Sequence, residues 1–284
     1  MENKNDNSME QLLKTTDQVL KIVERQNIAY ASSIWVPSLN RDVRFNEINT
    51  GQQKRLIKSI VDSPIYNTEF IYTLRDILKE NCVEPGINVE DLTVLDKLLI
   101  AIGLRTNSIG NKVEIEVQTK NDKKINITLD LNEIYELAKN TIKVPSALVI
   151  SDEFFSIECC IPTIKTEYML ELELRNHVDQ SKITNKGELR NTIGDVFIGE
   201  LVKYINKVSI KDKDEFIPVD WQHFTFTNRI KIVETFKTKL LKQILDYVGT
   251  IKTELDKVEV VNFTFEDETF SKRLTIDGRF FTIS

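Results

Sequence analysis

Apolar residues return along this chain in two rhythms, one of three to four residues and one of two, and the change from one to the other separates helices from strands. Over residues 9–27, Leu12, Val19 and Val23 recur at helical spacing, with Leu13, Leu20 and Ile22 widening the stripe, which predicts an amphipathic helix on a polar N-terminal extension. A short hairpin follows, Ser33–Val36 against Val43–Phe45, turned through Pro37–Asp42. Thr50 and Gln53 have capping-box spacing ahead of Leu56, Ile57 and Ile60, and Pro64 stops that helix. A second helix is predicted over 67–81, with Phe70, Leu74, Ile77 and Leu78 on one face. The densest apolar segment comes next: Thr93 and Asp96 form a capping box for a helix carrying Val94, Leu95, Leu98, Leu99 and Ile102. Arg105 suits its negative C-terminal end, and Gly110 suits its exit.

The rhythm then changes. Val113, Ile115 and Val117 alternate with Glu114, Glu116 and Gln118, and Ile125, Ile127 and Leu129 repeat the alternation, which predicts a half-exposed hairpin over 112–129. Asp130 and Glu133 read as a capping box for a short helix over 131–140. Further strands are expected at Ala147–Ile150, Ser156–Cys159 and Tyr168–Leu172. Helical spacing returns over 187–206, through Leu189, Ile193, Val196, Phe197 and Leu201, with Gly194 and Gly199 read as close-packing positions. A linker holding Pro218, a helix near 227–235 and a long helix over 236–255 (Leu240, Ile244, Val248, Ile251, Leu255) come next. Strands are expected at Val258–Phe265, Arg273–Ile276 and Phe280–Ile283. The fold class is therefore α+β: N-terminal helices with an antiparallel sheet, then a helical segment and a C-terminal β hairpin. The expected division is an N-terminal extension at 1–31, an α+β core at 32–180 and a helical segment with C-terminal strands at 181–284.

Composition narrows the function classes. With 284 residues, 41% hydrophobic and 29% charged, the chain is long enough for a substantial core and is not of disordered type. The formal net charge is −6, with lysines interleaved among carboxylates; Asn121–Lys124 and Lys207–Asp214 read as a turn and a solvated loop, so no nucleic acid is expected as a partner. The apolar run Leu98–Leu104 is far below the roughly 20 residues of a membrane span, so no membrane is expected either. The polar, acidic residues 1–10 do not read as a secretory signal.

The chemistry-bearing residues are sparse. Cys82, Cys159 and Cys160 have no CxxC spacing, and only His177 and His223 could supply imidazole, so no metal and no cofactor are expected. No phosphate-cradling glycine loop and no GxSxG elbow occurs. Cys159 or Cys160 with His177, or the carboxylates Glu171, Glu173 and Asp179, are the residues an enzyme would have to use. Glu171 and Glu173 would share one face of a strand, and the thiols sit in an apolar strand, which favours packing.

Three segments point to a family. They are the hairpin with Pro37-Ser38 and Arg44-Phe45 leading into Gly51–Lys54, the helix closing at Asn81-Cys82, and Leu92–Asp96 leading to the close Leu104–Gly110, of pattern Leu-Arg-x-x-Ser-x-Gly. Together they resemble the T4-type bacteriophage baseplate protein family, the tail hub and hub-assembly proteins of contractile-tailed phages. The resemblance covers roughly 33–175, with Phe45-Asn46 and Gln52-Gln53 departing from the family's usual residues.

The resemblance implies a structural or assembly role in the baseplate hub, acting by protein–protein binding and without catalysis. Partners would be other tail and baseplate proteins (hub, tube or tape measure), and a homo-oligomer is compatible with baseplate symmetry. The location would be the host cytoplasm during assembly and then the virion tail baseplate. Alternatives are a tail assembly chaperone absent from the mature virion, a small cytosolic enzyme with Cys or carboxylate chemistry, and a regulatory adaptor. Candidate interface residues are Leu12, Val19 and Val23 on the first helix and the aromatics Trp35, Trp221, Phe280 and Phe281, which are anchors if exposed and only packing if buried.

Overall fold

The computed structural model describes residues 15–62, 68–118, 124–180, 186–265 and 268–282. Helix α1 (Thr16–Ala29) precedes a hairpin of β1 (Ser32–Val36) and β2 (Arg41–Phe45), turned by a 3-10 segment at Pro37–Leu39 with Asn40 in the left-handed region, φ 48°. Helices α2 (Thr50–Asp62), α3 (Thr68–Asn81) and α4 (Val94–Ser108) follow. The capping box of α2 lies one residue earlier than expected. Asn49 Oδ1 accepts from Gln52 N–H at 2.9 Å and Gln52 Oε1 accepts from Asn49 N–H at 3.1 Å, as the preference for Asn at this position favours. Gln53 is thereby free to donate to the carbonyl of Phe281 at 2.8 Å. The Thr93–Asp96 box of α4 is present as expected, and Asp96 also accepts from Ser38 N–H at 2.8 Å, which ties the helix to the first hairpin.

Helix α4 is the axis of the first core. Every residue from Leu98 to Arg105 is buried, and β1 lies so close that a Cβ on Gly103 would sit 3.0 Å from the Ile34 side chain. The hairpin of β3 (Lys112–Gln118) and β4 (Lys124–Asp130) alternates as predicted and leads into α5 (Leu131–Thr141). Here the cap differs from expectation: Asp130 accepts from Asn132 N–H at 2.9 Å and from the Asn111 amide at 2.8 Å, so its carboxylate serves the helix and the strand start together.

The second core is a four-stranded antiparallel sheet packed by helices. Its strands are β5 (Leu148–Ser151), β6 (Phe155–Cys159), β7 (Ile205–Asp212) and β8 (Glu215–Pro218), in that spatial order. Helices α6 (Ile164–Gln180) and α7 (Lys186–Val202) lie between β6 and β7 in the chain. Helices α8 (Phe226–Glu234) and α9 (Thr238–Glu259) follow β8. Ile150, Ile157 and Val208 are paired neighbours on the inner face and meet Ile244, Val248 and Ile251 of α9 in one cluster.

Three expectations are overturned here. Tyr168–Leu172 is part of α6, not a strand: Leu170 and Leu174, four apart, are buried, while Met169 and Leu172 are exposed. Met, Leu and Glu are strong helix formers, and that preference outweighs the alternation of Met169–Leu174. Lys207–Asp214 is not a solvated loop but most of β7 and the turn into β8, with Lys213 at φ 56°. A register shift between Glu158 and Cys159 lets Ile205 and Val208 both face inward although they are three apart, which erases the two-residue rhythm. Pro218, expected in a linker, ends β8.

The last segment returns to the first core. Strands β9 (Val260–Phe265) and β10 (Glu268–Arg273) pair antiparallel, and Arg273–Ile276 is strand only at its first residue. Phe280–Phe281, expected as strand, is a 3-10 turn over Gly278–Phe281. Asp277 caps it by accepting from Arg279 N–H at 2.8 Å and Phe280 N–H at 3.3 Å. The turn presses onto α2, where a Cβ on Gly278 would come within 2.3 Å of the Leu56 carbonyl. Arg105, buried, donates to the Phe280 carbonyl at 2.6 Å and to the Gly110 carbonyl, so the predicted C-terminal cation of α4 also clamps the end of the chain. The expected boundary at residue 180 runs through the second core, which draws Leu170 and Leu174 from one side and Leu201 and Val202 from the other.

Candidate interaction surfaces

Helix α1 is exposed over residues 16–26 except at half-buried Ile22, with Val19 at 46% and Val23 at 43% of full exposure and Leu20 beside them. Leu12 lies outside the described residues. The aromatic candidates divide differently. Trp35 is half-buried, and its backbone N–H donates to the Tyr135 hydroxyl at 2.6 Å. Trp221 is buried with its indole N–H on the Ile205 carbonyl at 3.0 Å. Phe280 and Phe281 are buried, with their rings 5.2 Å apart and Phe281 6.4 Å from Phe70. Trp221, Phe280 and Phe281 are thus core side chains of this chain and take the packing alternative.

A surface that the sequence reading missed lies on α7. Leu189, Ile193 and Phe197, spaced four apart, are exposed, while Thr192, Gly199, Leu201 and Val202 bury the opposite side. Gly199 sits against α8, where a Cβ would meet the Phe226 ring at 2.5 Å. Gly194, expected to be a packing glycine, has open space around it and lies beside the exposed row. The signal available in the sequence is partial: the apolar residues of α7 do not fall on one stripe, so they cannot all face one core.

Between the two cores lies a cleft of about 310 Å³ with apolar walls from Leu74, Leu98 and Leu255. Its charged lining is paired. Lys97 bonds Glu167, and Lys203 bonds both Glu171 and Glu200, the latter at 2.8 and 2.9 Å. Burial works against the charge on Lys203, but Glu171 and Glu200 outweigh it and leave the ammonium's pKa above the usual lysine range. Glu259, at the cleft's edge, is pushed above the usual carboxylate range by burial, against the opposing pull of Arg273.

Of the residues an enzyme would have to use, the thiols are buried or half-buried, and His177, Glu171 and Glu173 have polar partners within the chain. Cys159 is fully buried in β6, where burial pushes its thiol up to about 12, and burial also raises Cys160 and Cys82. A thiol held protonated is the reverse of an activated nucleophile. His177 bonds Asp195 at 2.9 Å and packs edge-on against Phe226, 5.8 Å between ring centres. Glu171 and Glu173 lie on a helix rather than on one strand face: Glu171 serves Lys203, and Glu173 approaches Arg229 at 3.8 Å. Among the described residues no His, Cys, Asp and Glu group could hold a metal ion, and no helix is long and apolar enough to cross a membrane.

Fold and surfaces together define an α+β protein with two packed cores and apolar rows left open on helices. The family model described as T4 bacteriophage base plate protein matches residues 29–267, most of the chain, and the chain belongs to that family. The match runs beyond 33–175, through the second core and into the C-terminal hairpin. Comparison with curated proteins and with solved structures gives no match. Membership implies a structural role in a phage tail baseplate and contacts with other baseplate proteins.

Proposed function

We propose that the chain is a structural or assembly component of the baseplate hub of a contractile-tailed phage, and that it acts by binding hub, tube or tape-measure proteins without catalysis. The observation that supports this reading is the open apolar row Leu189–Ile193–Phe197 on α7, joined by Val19, Leu20 and Val23 on α1, in a member of a baseplate family. Apolar rows of this kind on an otherwise charged surface are the usual mark of protein contacts. The protein folds in the host cytoplasm and joins the tail there.

The test is quantitative mass spectrometry of purified particles beside infected-cell lysate. A fixed ratio to other tail proteins in particles is expected for a built-in component. Presence only in lysate, in complex with a tail protein, identifies an assembly chaperone. Absence from both would end the baseplate-hub reading.

A further inference from the structure

The two edges of the four-stranded sheet are treated differently. At one edge, β8, four residues long like the opposite edge strand, begins with Glu215, ends in Pro218, which has no N–H to offer, and follows Asp212, Lys213 and Asp214. Proline and charge are how proteins keep an edge from pairing. At the other edge, β5 reads Leu148-Val149-Ile150-Ser151, with no charge or proline within the strand and acid only after it, at Asp152-Glu153.

The ladder fixes which backbone groups of β5 are open. Asp152 N–H donates to the Phe155 carbonyl at 2.9 Å, and these two residues continue the register Ile150↔Ile157 and Leu148↔Cys159. In an antiparallel pair, bonded and non-bonded residues alternate. The N–H and C=O groups of Val149 and Ser151 therefore point away from β6, and no other described group takes them up. Beside them runs a groove of about 380 Å³ between β5 and α9, with Leu148, Ile150 and Tyr247 as its apolar floor and Gln243, Asp246 and Thr250 on its helical wall. Asp246 has no ion-pair partner among the described residues.

We infer that the β5 edge receives an extended segment of another baseplate protein, which adds a fifth strand to the sheet. Open backbone groups at every second residue select an extended chain over a helix. The groove selects apolar side chains at alternate positions of that segment, with a Lys or Arg placed to meet Asp246. A second copy of β5 fits poorly: it carries no cation, and its continuation Asp152-Glu153 brings further acid to Asp246.

The inference rests on the baseplate reading, and its test separates the two. A phage lacking this protein is complemented with wild type, Val149→Pro or Val149→Thr, and the copies per purified particle (or per isolated tail-protein complex) are counted by mass spectrometry. Val149→Pro removes an outward N–H and no ladder bond to β6, at an exposed position, so it should fold with a near wild-type melting midpoint yet be incorporated at least tenfold less. Val149→Thr should match wild type. Independently, hydrogen exchange of wild-type residues 148–151 should slow at least tenfold in particles relative to the free chain, with β8 unchanged. Equal incorporation of Val149→Pro, or unchanged exchange at β5, overturns the strand-addition proposal while leaving the baseplate reading intact. A free-chain dimer in sedimentation that Val149→Pro abolishes would overturn the choice of partner. Absence of the wild-type chain from every particle and complex would instead sink the baseplate reading.

Discussion

The first core and the second core enclose similar apolar side chains, but they end differently at their surfaces. The first wraps α4 on all sides and is closed by the Gly278–Phe281 turn, with Arg105 and Gln53 holding the carbonyls of Phe280 and Phe281. The second packs one face of its sheet under α9 and leaves Val149, Phe154, Ile193, Phe197 and Ile217 in contact with solvent. The first core keeps single exposed apolar residues, Val61 on α2 and Leu137 on α5, but its interior is closed by its own chain. A body with apolar rows and an open strand edge has surface left for a partner, and on the strand-addition proposal the second core is the half that would face the assembly.

Substitutions of equal chemistry in the two halves should therefore part company. The largest effect is expected from Phe281→Ala, which empties a fully buried site between Phe70 and Phe280. It should destabilise by about 3–5 kcal/mol, whereas Phe197→Ala should stay within about 0.5 kcal/mol and instead reduce incorporation into particles. Thermal melting of both variants checks this; equal losses would erase the distinction between the halves.

Glycines give the next contrast. Gly278→Ala drives a Cβ into the Leu56 carbonyl and should destabilise by about 1–3 kcal/mol. Gly194→Ala meets open space inside a helix and should stabilise by about 0.5–1 kcal/mol. Denaturant titration reads both signs, and a stabilising Gly278→Ala would mean that the C-terminal turn is not clamped.

The smallest effect is at the seam. Because burial raises the Glu259 pKa above its ordinary 4.5, the fold holds that proton more tightly than the unfolded chain does. The resulting stability is full below the ordinary pKa and is lost as pH rises through the folded one. Ionised Glu259 thus weighs against the fold at neutral pH. Glu259→Gln should melt higher than wild type at pH 7 and converge with it near pH 4, read by melting midpoints across that range. A lower midpoint at pH 7 would show that the Arg273 pair outweighs burial.

Much of the first core was legible because its signals are local. Thr93 and Asp96 cap α4 through bonds three residues apart, and Val113 to Leu129 alternate on a hairpin whose strands adjoin in sequence. Helix α9 was legible for the same reason, since one stripe runs through Leu240, Ile244, Val248 and Ile251. What escaped depends on distant neighbours. Whether Leu170 belongs to helix or strand is decided by what it packs on, and β7 hides behind a bulge set by its pairing with β6. Phe280 and Phe281 look like a strand until Asp277 and the groove on α2 turn them. The surfaces were the least legible part. Leu189, Ile193 and Phe197 have the same chemistry as buried residues, and nothing local in the sequence says which side of α7 meets the core.

The clamp of Arg105 on Phe280 has a consequence for synthesis. The groove between α2 and α4 is made early, but its filling, Leu274 to Phe281, leaves the ribosome only after the whole second core has emerged. Until then the first core stands open with apolar residues unshielded, a state that invites chaperones and wrong partners. Closure of the first core thus waits for residues that follow the second core in the chain, so a chain interrupted before residue 274 cannot complete its first core.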